Sequence, residues 1–232
     1  MHLDSEISHV NSLLKDFPTR EINTPEDVIK KLNVRYSIIS SGASFNLYKD
    51  LSKSNLNLFD ILKLMPRVIH GYLCKDIFSN AGRYRNINDP HNGAVYFGPL
   101  RPKDARVKFE GCHPGKIEIE IENVIRELVD PENDVIKAAI KFYQKFVFIH
   151  PFYDLNGRIG RLITNLILNY HQYHAQWKTL EENHEIKMQF ITKLNKCHKQ
   201  MDKPSYEYKI DNLYRFWKKY VISFDDLIEQ NK

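Results

Sequence analysis

Apolar positions along this chain recur mostly at three- and four-residue intervals, the spacing of helices with one buried face. From Asp134 to Phe148 they fall at 135, 136, 139, 140, 142, 143, 146 and 147, which predicts a helix buried on a broad face. Asn133 or Asp134 is its N-cap, and Pro151 disfavours helical geometry at His150 and ends it. From Arg158 to Tyr170 the apolar residues Ile159, Leu162, Ile163, Leu166 and Ile167 predict a second helix directly after a short polar turn.

The same reading places a short helix over Ser5–Lys15 and a helix start at Thr24-Pro25-Glu26-Asp27. A break is expected at Ser40–Ser44, then a longer helix over Asn57–Asp76 with a kink or boundary at Pro66. Helix signals fade between Phe78 and Lys116, where glycine and proline concentrate. There Val107–Phe109 reads as strand and Gly111–Gly115 as turn. The alternation from Lys116 to Ile121 fits either a hairpin or a helix, and a helix from about Glu118 is favoured. In the tail, Thr179–Glu182 has a capping-box pattern opening a helix over Asn183–Met201. Lys203-Pro204 ends it, and Leu213–Val221 reads as an aromatic helix facing the core.

At 232 residues and 42% hydrophobic content, one compact domain with helical extensions is expected. The formal charge of +5 is mild and its basic residues scattered, so an ordinary solvated surface is expected and nucleic acid is not an expected partner. Cys74, Cys112 and Cys197 are odd in number and lack CxxC spacing, which points to no disulfide framework or zinc site and fits a reducing cytoplasm. The N-terminus lacks signal-peptide character and no apolar run is long enough for a bilayer, so no membrane partner is expected.

Chemistry concentrates in His150-Pro151-Phe152-Tyr153-Asp154-Leu155-Asn156-Gly157-Arg158-Ile159-Gly160-Arg161. One imidazole, one carboxylate, an amide-rich turn and two guanidiniums stand within a dozen residues. Asn156-Gly157 falls at a helix N-terminus, where free N–H groups and the dipole favour an anion. Arg158 and Arg161 share one side of the first turn, where cations oppose the dipole unless an anion offsets them. Singly, each residue has an ordinary reading: a packed histidine, a capping aspartate, a turn dipeptide, solvated arginines. Together they read as a site for phosphoryl or nucleotidyl transfer. His171 and His174 read as surface or packing histidines.

This segment resembles the signature of the Fic (filamentation induced by cAMP) family, His-x-Phe-x-(Asp/Glu)-Gly-Asn-(Gly/Lys)-Arg-x-x-Arg. The chain matches it at His150, Phe152, Asp154, Asn156, Gly157, Arg158 and Arg161 and departs at Leu155. Gly82-Arg83-Tyr84-Arg85 resembles the family's Gly-x-(Tyr/Phe)-Arg upstream of its active-site flap. The resemblance implies an all-α, predominantly helical Fic fold with a small β-hairpin flap beside the active site. The core would span 57–173, with helical extensions over 1–56 and 174–232. The flap is expected at Ala105–Lys116, or alternatively at Ala94–Arg101, offering an edge to a target's backbone.

The implied reaction moves AMP from Mg-ATP to a Ser, Thr or Tyr hydroxyl of a target protein. His150 would be the general base, Asp154 would hold Mg²⁺, Asn156, Gly157 and Arg158 would cradle phosphate, and Arg161 would hold the terminal phosphate. Family members without Gly at the position of Leu155 include transferases of phosphocholine or phosphate, so another phosphate-linked group, UMP included, is the alternative. A non-catalytic interaction protein is a further one. Family members often carry an inhibitory helix with (Ser/Thr)-x-x-x-Glu-(Gly/Asn), whose Glu pairs with the second motif arginine. The strict pattern is absent, and Thr179 with Glu182-Asn183 falls one residue short. Inhibition of this toxin-like enzyme, if any, is therefore expected to come from a separate antitoxin-like partner or a divergent internal helix.

Overall fold

The computed structural model describes residues 2–21, 23–43, 57–98, 109–130, 132–201 and 203–230. The helices are α1 His2–Asp16, α2 Pro25–Ile38, α3 Leu58–Cys74, α4 Ile117–Val129, α5 Val135–Ile149, α6 Asn156–Tyr170, α7 Trp177–Glu182, α8 His184–His198, α9 Tyr206–Trp217 and α10 Phe224–Gln230. Strands β1 Tyr96–Phe97 and β2 Phe109–Glu110 pair antiparallel, as do β3 Tyr173–Ala175 and β4 Val221–Ser223. The described residues are thus predominantly helical with two small antiparallel ladders. None of the described helices is long and apolar enough to cross a membrane.

α5 is the centre. The Asp134 carboxylate accepts from the N–H groups of Ile136 (2.9 Å) and Lys137 (3.0 Å), satisfying two free donors of its first turn. α4 covers one flank, α6 returns along another, and α8 and α9 close the remainder. Gly160 permits the close approach of α6 to α5, since a Cβ there would stand 3.1 Å from the Tyr143 ring. Ala139, Ile140 and Phe146 from α5 and Ile159, Ile163 and Ile167 from α6 are fully buried, and the hydrophobic core runs without a gap from Val10 to Trp217. α1, α2 and α3 stack on the α6 side, with Thr24 capping α2 through the N–H of Asp27.

Several expectations change. Pro66 lies buried within a continuous α3, so it forms no boundary. Residues Ile39–Ala43 continue α2 as a π-helical turn where a break is expected, while Ser44 lies outside the described residues. Thr179 caps nothing: it sits inside α7, and the Asn183 side chain caps α8 by accepting from the N–H of Ile186 at 3.1 Å. The aromatic helix of the tail begins earlier, at Tyr206, and Val221 leaves it for β4.

The hairpin joins the two candidate flap segments. Tyr96 pairs with Glu110 and Phe97 with Phe109, so one strand comes from each. Of those two segments, residues 99–101 and 105–108 lie outside the described ones. The β3–β4 pair had no visible sequence signal, because three-residue strands are too short to show alternation.

Candidate active site

The site begins where α5 stops. His150 adopts left-handed geometry (φ 53, ψ 58), since the following proline excludes continued helix, and its N–H closes on the Phe146 carbonyl at 3.1 Å. The carbonyls this exposes meet one buried side chain. Arg85, only 2% exposed, donates to the carbonyls of His150 (2.7 Å), Cys112 (2.8 Å), Ile149 (3.3 Å) and Gly93. Its own N–H donates to Pro151 O at 3.0 Å. The negative end of the α5 dipole and four carbonyls offset a guanidinium that burial would otherwise exclude.

Beyond Pro151, Phe152 inserts into the core, stacked on His70 at 4.1 Å with 4° between ring planes. Asn156 is buried, and both halves of its amide close on the backbone of Phe152, accepting from its N–H (3.0 Å) and donating to its carbonyl (2.8 Å). Its side chain is therefore engaged in shaping the loop, and a ligand meets residue 156 through its backbone. Tyr153 donates to Asp89 at 3.1 Å. Asp154 accepts from the Leu155 N–H at 2.7 Å through one oxygen.

Leu155 takes the conformation glycine would favour, φ 64 and ψ 4. That geometry costs about 1–2 kcal/mol for a residue with a Cβ. The leucine side chain is 6% exposed, and burying it contributes about 1.5–3 kcal/mol in return. The departure from the motif therefore leaves the backbone path of the turn intact. Leu155→Gly is expected to lower stability by about 1 kcal/mol and leave ligand binding at the turn within twofold. Urea unfolding and nucleotide titration check this, and a large loss of binding would show that the leucine side chain itself is needed.

His150, Asp154, Asn156, Gly157, Arg158 and Arg161 all line one cavity of about 490 Å³. His9 and Asp16 of α1 and Tyr96 and Phe97 of β1 wall it. The His150 Nδ1 lies 3.2 Å from the Val147 carbonyl, so in the neutral ring Nδ1 carries the proton and Nε2 the free lone pair. Burial lowers the His150 pKa to about 4; the Val147 bond opposes this, and Arg85 and His9 add to it. The imidazole is neutral at pH 7.

The two arginines converge on Tyr36 of α2, whose ring lies 5.6 Å from the Arg158 and 5.8 Å from the Arg161 guanidinium carbon. Arg161 Nε donates to the Tyr36 hydroxyl at 3.3 Å. Arg158 faces Glu6 of α1 at 3.9 Å, and among the described residues its buried Nη1 has no hydrogen-bond partner. Arg161 pairs with Glu181 of α7 at 2.5 Å. The helical phase of α7 turns Glu182 instead toward Lys178, at 3.8 Å and exposed. Beyond Arg161 lies a second cavity of about 660 Å³, lined by Tyr36, Asn165, Trp177 and Glu181 among others.

Among the described residues no group of three or more His, Cys, Asp or Glu side chains gathers as a metal site. The Asp154 and Asp16 carboxylates line the same cavity, and one or two carboxylates would fit an ion such as Mg²⁺, which keeps waters and takes other ligands from phosphates.

Sequence reasoning missed Phe97, Tyr36 and Glu181, and saw Arg85 without its role. Arg85 alone had a local signal, in Gly82-Arg83-Tyr84-Arg85.

Residues 65–168 match the profile of the Fic/DOC family. A 53-residue stretch is 43% identical to a protein of Aquifex aeolicus named a probable protein adenylyltransferase, over 21% of this chain and 17% of that one. The fold is similar to a Fic family protein of Desulfovibrio desulfuricans (TM-score 0.53, 19% identity), covering 92% of this chain and 62% of the other. It is also similar to the N-terminal Fic domain of a VirB-translocated Bep effector protein of Bartonella quintana, solved with bound ADP (TM-score 0.57, 12% identity, 94% and 97% covered). Over residues 65–168 this chain is thus similar to the Fic/DOC family, and its fold is that of Fic-family structures.

Proposed function

We propose that this protein is a protein adenylyltransferase, moving AMP from Mg-ATP to a Ser, Thr or Tyr hydroxyl of a target protein. One observation carries the reading: the unpartnered, buried Nη1 of Arg158 at the N-terminus of α6, within one cavity with Asp154 and His150. Arg161 already has the Glu181 carboxylate, but Arg158 at the positive end of the helix has only Glu6 at 3.9 Å and is unfavourable until an anion arrives. A polyphosphate supplies that anion and satisfies the orphaned donor. The ADP found in the similar Bartonella domain and the name of the Aquifex relative agree with this choice of donor.

In this reading the free Nε2 of His150 accepts the proton of the target hydroxyl as its oxygen attacks the α-phosphorus. The bond from that phosphorus to the pyrophosphate oxygen breaks, and pyrophosphate leaves with its charge held by Arg158 and Arg161. Asp154 would hold Mg²⁺, which neutralises phosphate charge when bound. The backbone of Asn156 and Gly157 cradles the phosphates at the start of α6. The imidazole must exchange burial for contact with the hydroxyl and the phosphates, which returns its pKa toward its usual range.

The test is incubation of the full chain with α-labelled ATP, Mg²⁺ and a lysate. Labelled proteins should carry the mass of AMP, and His150→Ala should reduce labelling about a hundredfold or more. Labelling unaffected by that substitution removes His150 from its role. Transfer of label from γ-labelled ATP instead, or the mass of phosphocholine, UMP or phosphate, establishes the alternative of another phosphate-linked group. Failure to bind Mg-ATP in calorimetry leaves a non-catalytic interaction protein. The free cysteines Cys74, Cys112 and Cys197 suit a cytoplasmic setting for this activity.

Glu181 is the internal competitor of the terminal phosphate, since both need Arg161. Glu181→Ala is expected to tighten ATP binding several-fold and raise turnover, read by calorimetry and pyrophosphate release. Weaker binding would make Glu181 a support for Arg161. No change would leave inhibition to a separate antitoxin-like partner.

A further inference from the structure

We infer that Phe97 of the β1–β2 hairpin is a positioning residue for His150, clamping its imidazole so that Nε2 faces the cavity in one orientation. This rests on the reading of His150 as the base. The Phe97 and His150 rings stack with centroids 4.5 Å apart and planes within 10°. Among the described residues the imidazole has one hydrogen bond, the Nδ1 contact to the Val147 carbonyl at 3.2 Å. A single hydrogen bond leaves a ring free to swing about its Cβ–Cγ axis. A flat face against its plane removes that swing, and one free nitrogen then points one way.

The clamp is itself held. Phe97 packs on Phe109 across the ladder (5.5 Å) and edge-on against Phe148 (6.4 Å) and His198 (5.8 Å). Burial lowers the His198 pKa to about 4, so its ring is neutral and adds no charge beside His150 at pH 7. Arg85 binds the carbonyls of Gly93 and Cys112, one on each root of the hairpin, and also that of His150. One guanidinium therefore ties the hairpin to the backbone of residue 150, while Phe97 ties it to the side chain. Whatever docks along the hairpin shares an element with the group that orients the base. Misplacement of a catalytic group by about 1 Å can reduce rate about a hundredfold.

The experiment compares Phe97→Leu, which keeps apolar bulk without a plane, with Phe97→Tyr, which keeps the plane. In the full chain, Phe97→Leu is expected to lower kcat tenfold or more with KM for ATP within twofold, and Phe97→Tyr to retain kcat within threefold. Both should unfold within a few degrees of wild type. Imidazole ¹⁵N shifts, assigned by their loss in His150→Ala, should report a single Nδ1–H tautomer in wild type and averaged tautomers in Phe97→Leu. Unchanged ¹⁵N shifts in Phe97→Leu overturn the clamp even in a chain without detectable transfer. Wild-type kcat in Phe97→Leu, or equal losses in the two variants, overturns it as well. Transfer that survives His150→Ala defeats the reading of the base separately, leaving the ¹⁵N result to decide the stack.

Discussion

Arg85→Met should lower the free energy of unfolding by about 5 kcal/mol, a loss comparable with the whole stability of many domains. Methionine retains much of the apolar stem and removes five donors. The carbonyls of Gly93, Cys112, Ile149 and His150 then lose their shared partner in a place water reaches poorly. Each buried acceptor left without a bond costs about 1–3 kcal/mol, and relaxation of the hairpin roots recovers part of the sum. Arg85→Lys should recover only part of the stability, because one ammonium cannot span carbonyls on both hairpin roots and the end of α5. Urea unfolding of the three proteins decides this. A loss under 1 kcal/mol for methionine would show that water replaces the guanidinium and that Arg85 is no keystone. The same substitution should also release His150 from its left-handed cap, so residual folded protein should bind ATP yet transfer poorly.

The second large effect is expected in acid. His70 is 2% exposed, its Nδ1 accepts from the Gly82 N–H at 2.9 Å, and burial lowers its pKa to about 3. His198 is 5% exposed and is lowered by burial to about 4. In the unfolded chain both titrate near 6.5, so below that pH the unfolded state binds the protons that the folded state refuses. Stability is then full above about pH 6.5 and falls with pH until the folded-state pKa values are reached, by about 1.4 kcal/mol per pH unit for each histidine. At pH 5 the two together have removed about 4 kcal/mol. Ordinary carboxylates, titrating near 4, add their loss only at lower pH. Urea unfolding at pH 7.5, 6 and 5 measures the slope, to which the buried His150 adds as well, and His70→Asn or His198→Asn should each lower it by about 1.4 kcal/mol per pH unit. A flat profile between pH 6.5 and 5 would mean that these histidines accept protons in place.

Much of the helical scaffold was legible because its signals are local. The 3.6-residue spacing in α5 and α6 and the acceptors of Asp134 and Thr24 at two helix starts act within a few residues of themselves. Thr179 failed as a cap for the converse reason. Its capping-box pattern is satisfied equally by a position inside a short helix, and packing of Trp177 and Leu180 into the core selects that register. Pro66 likewise stays helical because the buried face of α3 outweighs its local preference.

The sequence by itself determined the dozen residues from His150 to Arg161, a helix end at Pro151, a helix start at Asn156, and the gathering of imidazole, carboxylate and cations that these impose. All of that lies within one turn of chain, where spacing dictates proximity. Only the tertiary structure decided what holds those groups: Arg85 behind the His150 carbonyl, 65 residues away, Tyr36 against Arg161, 125 residues away, Glu181 on Arg161 and Phe97 on the imidazole. These partners carry no pattern along the chain, because burial of helices far apart in sequence, and not their spacing, brings them into contact.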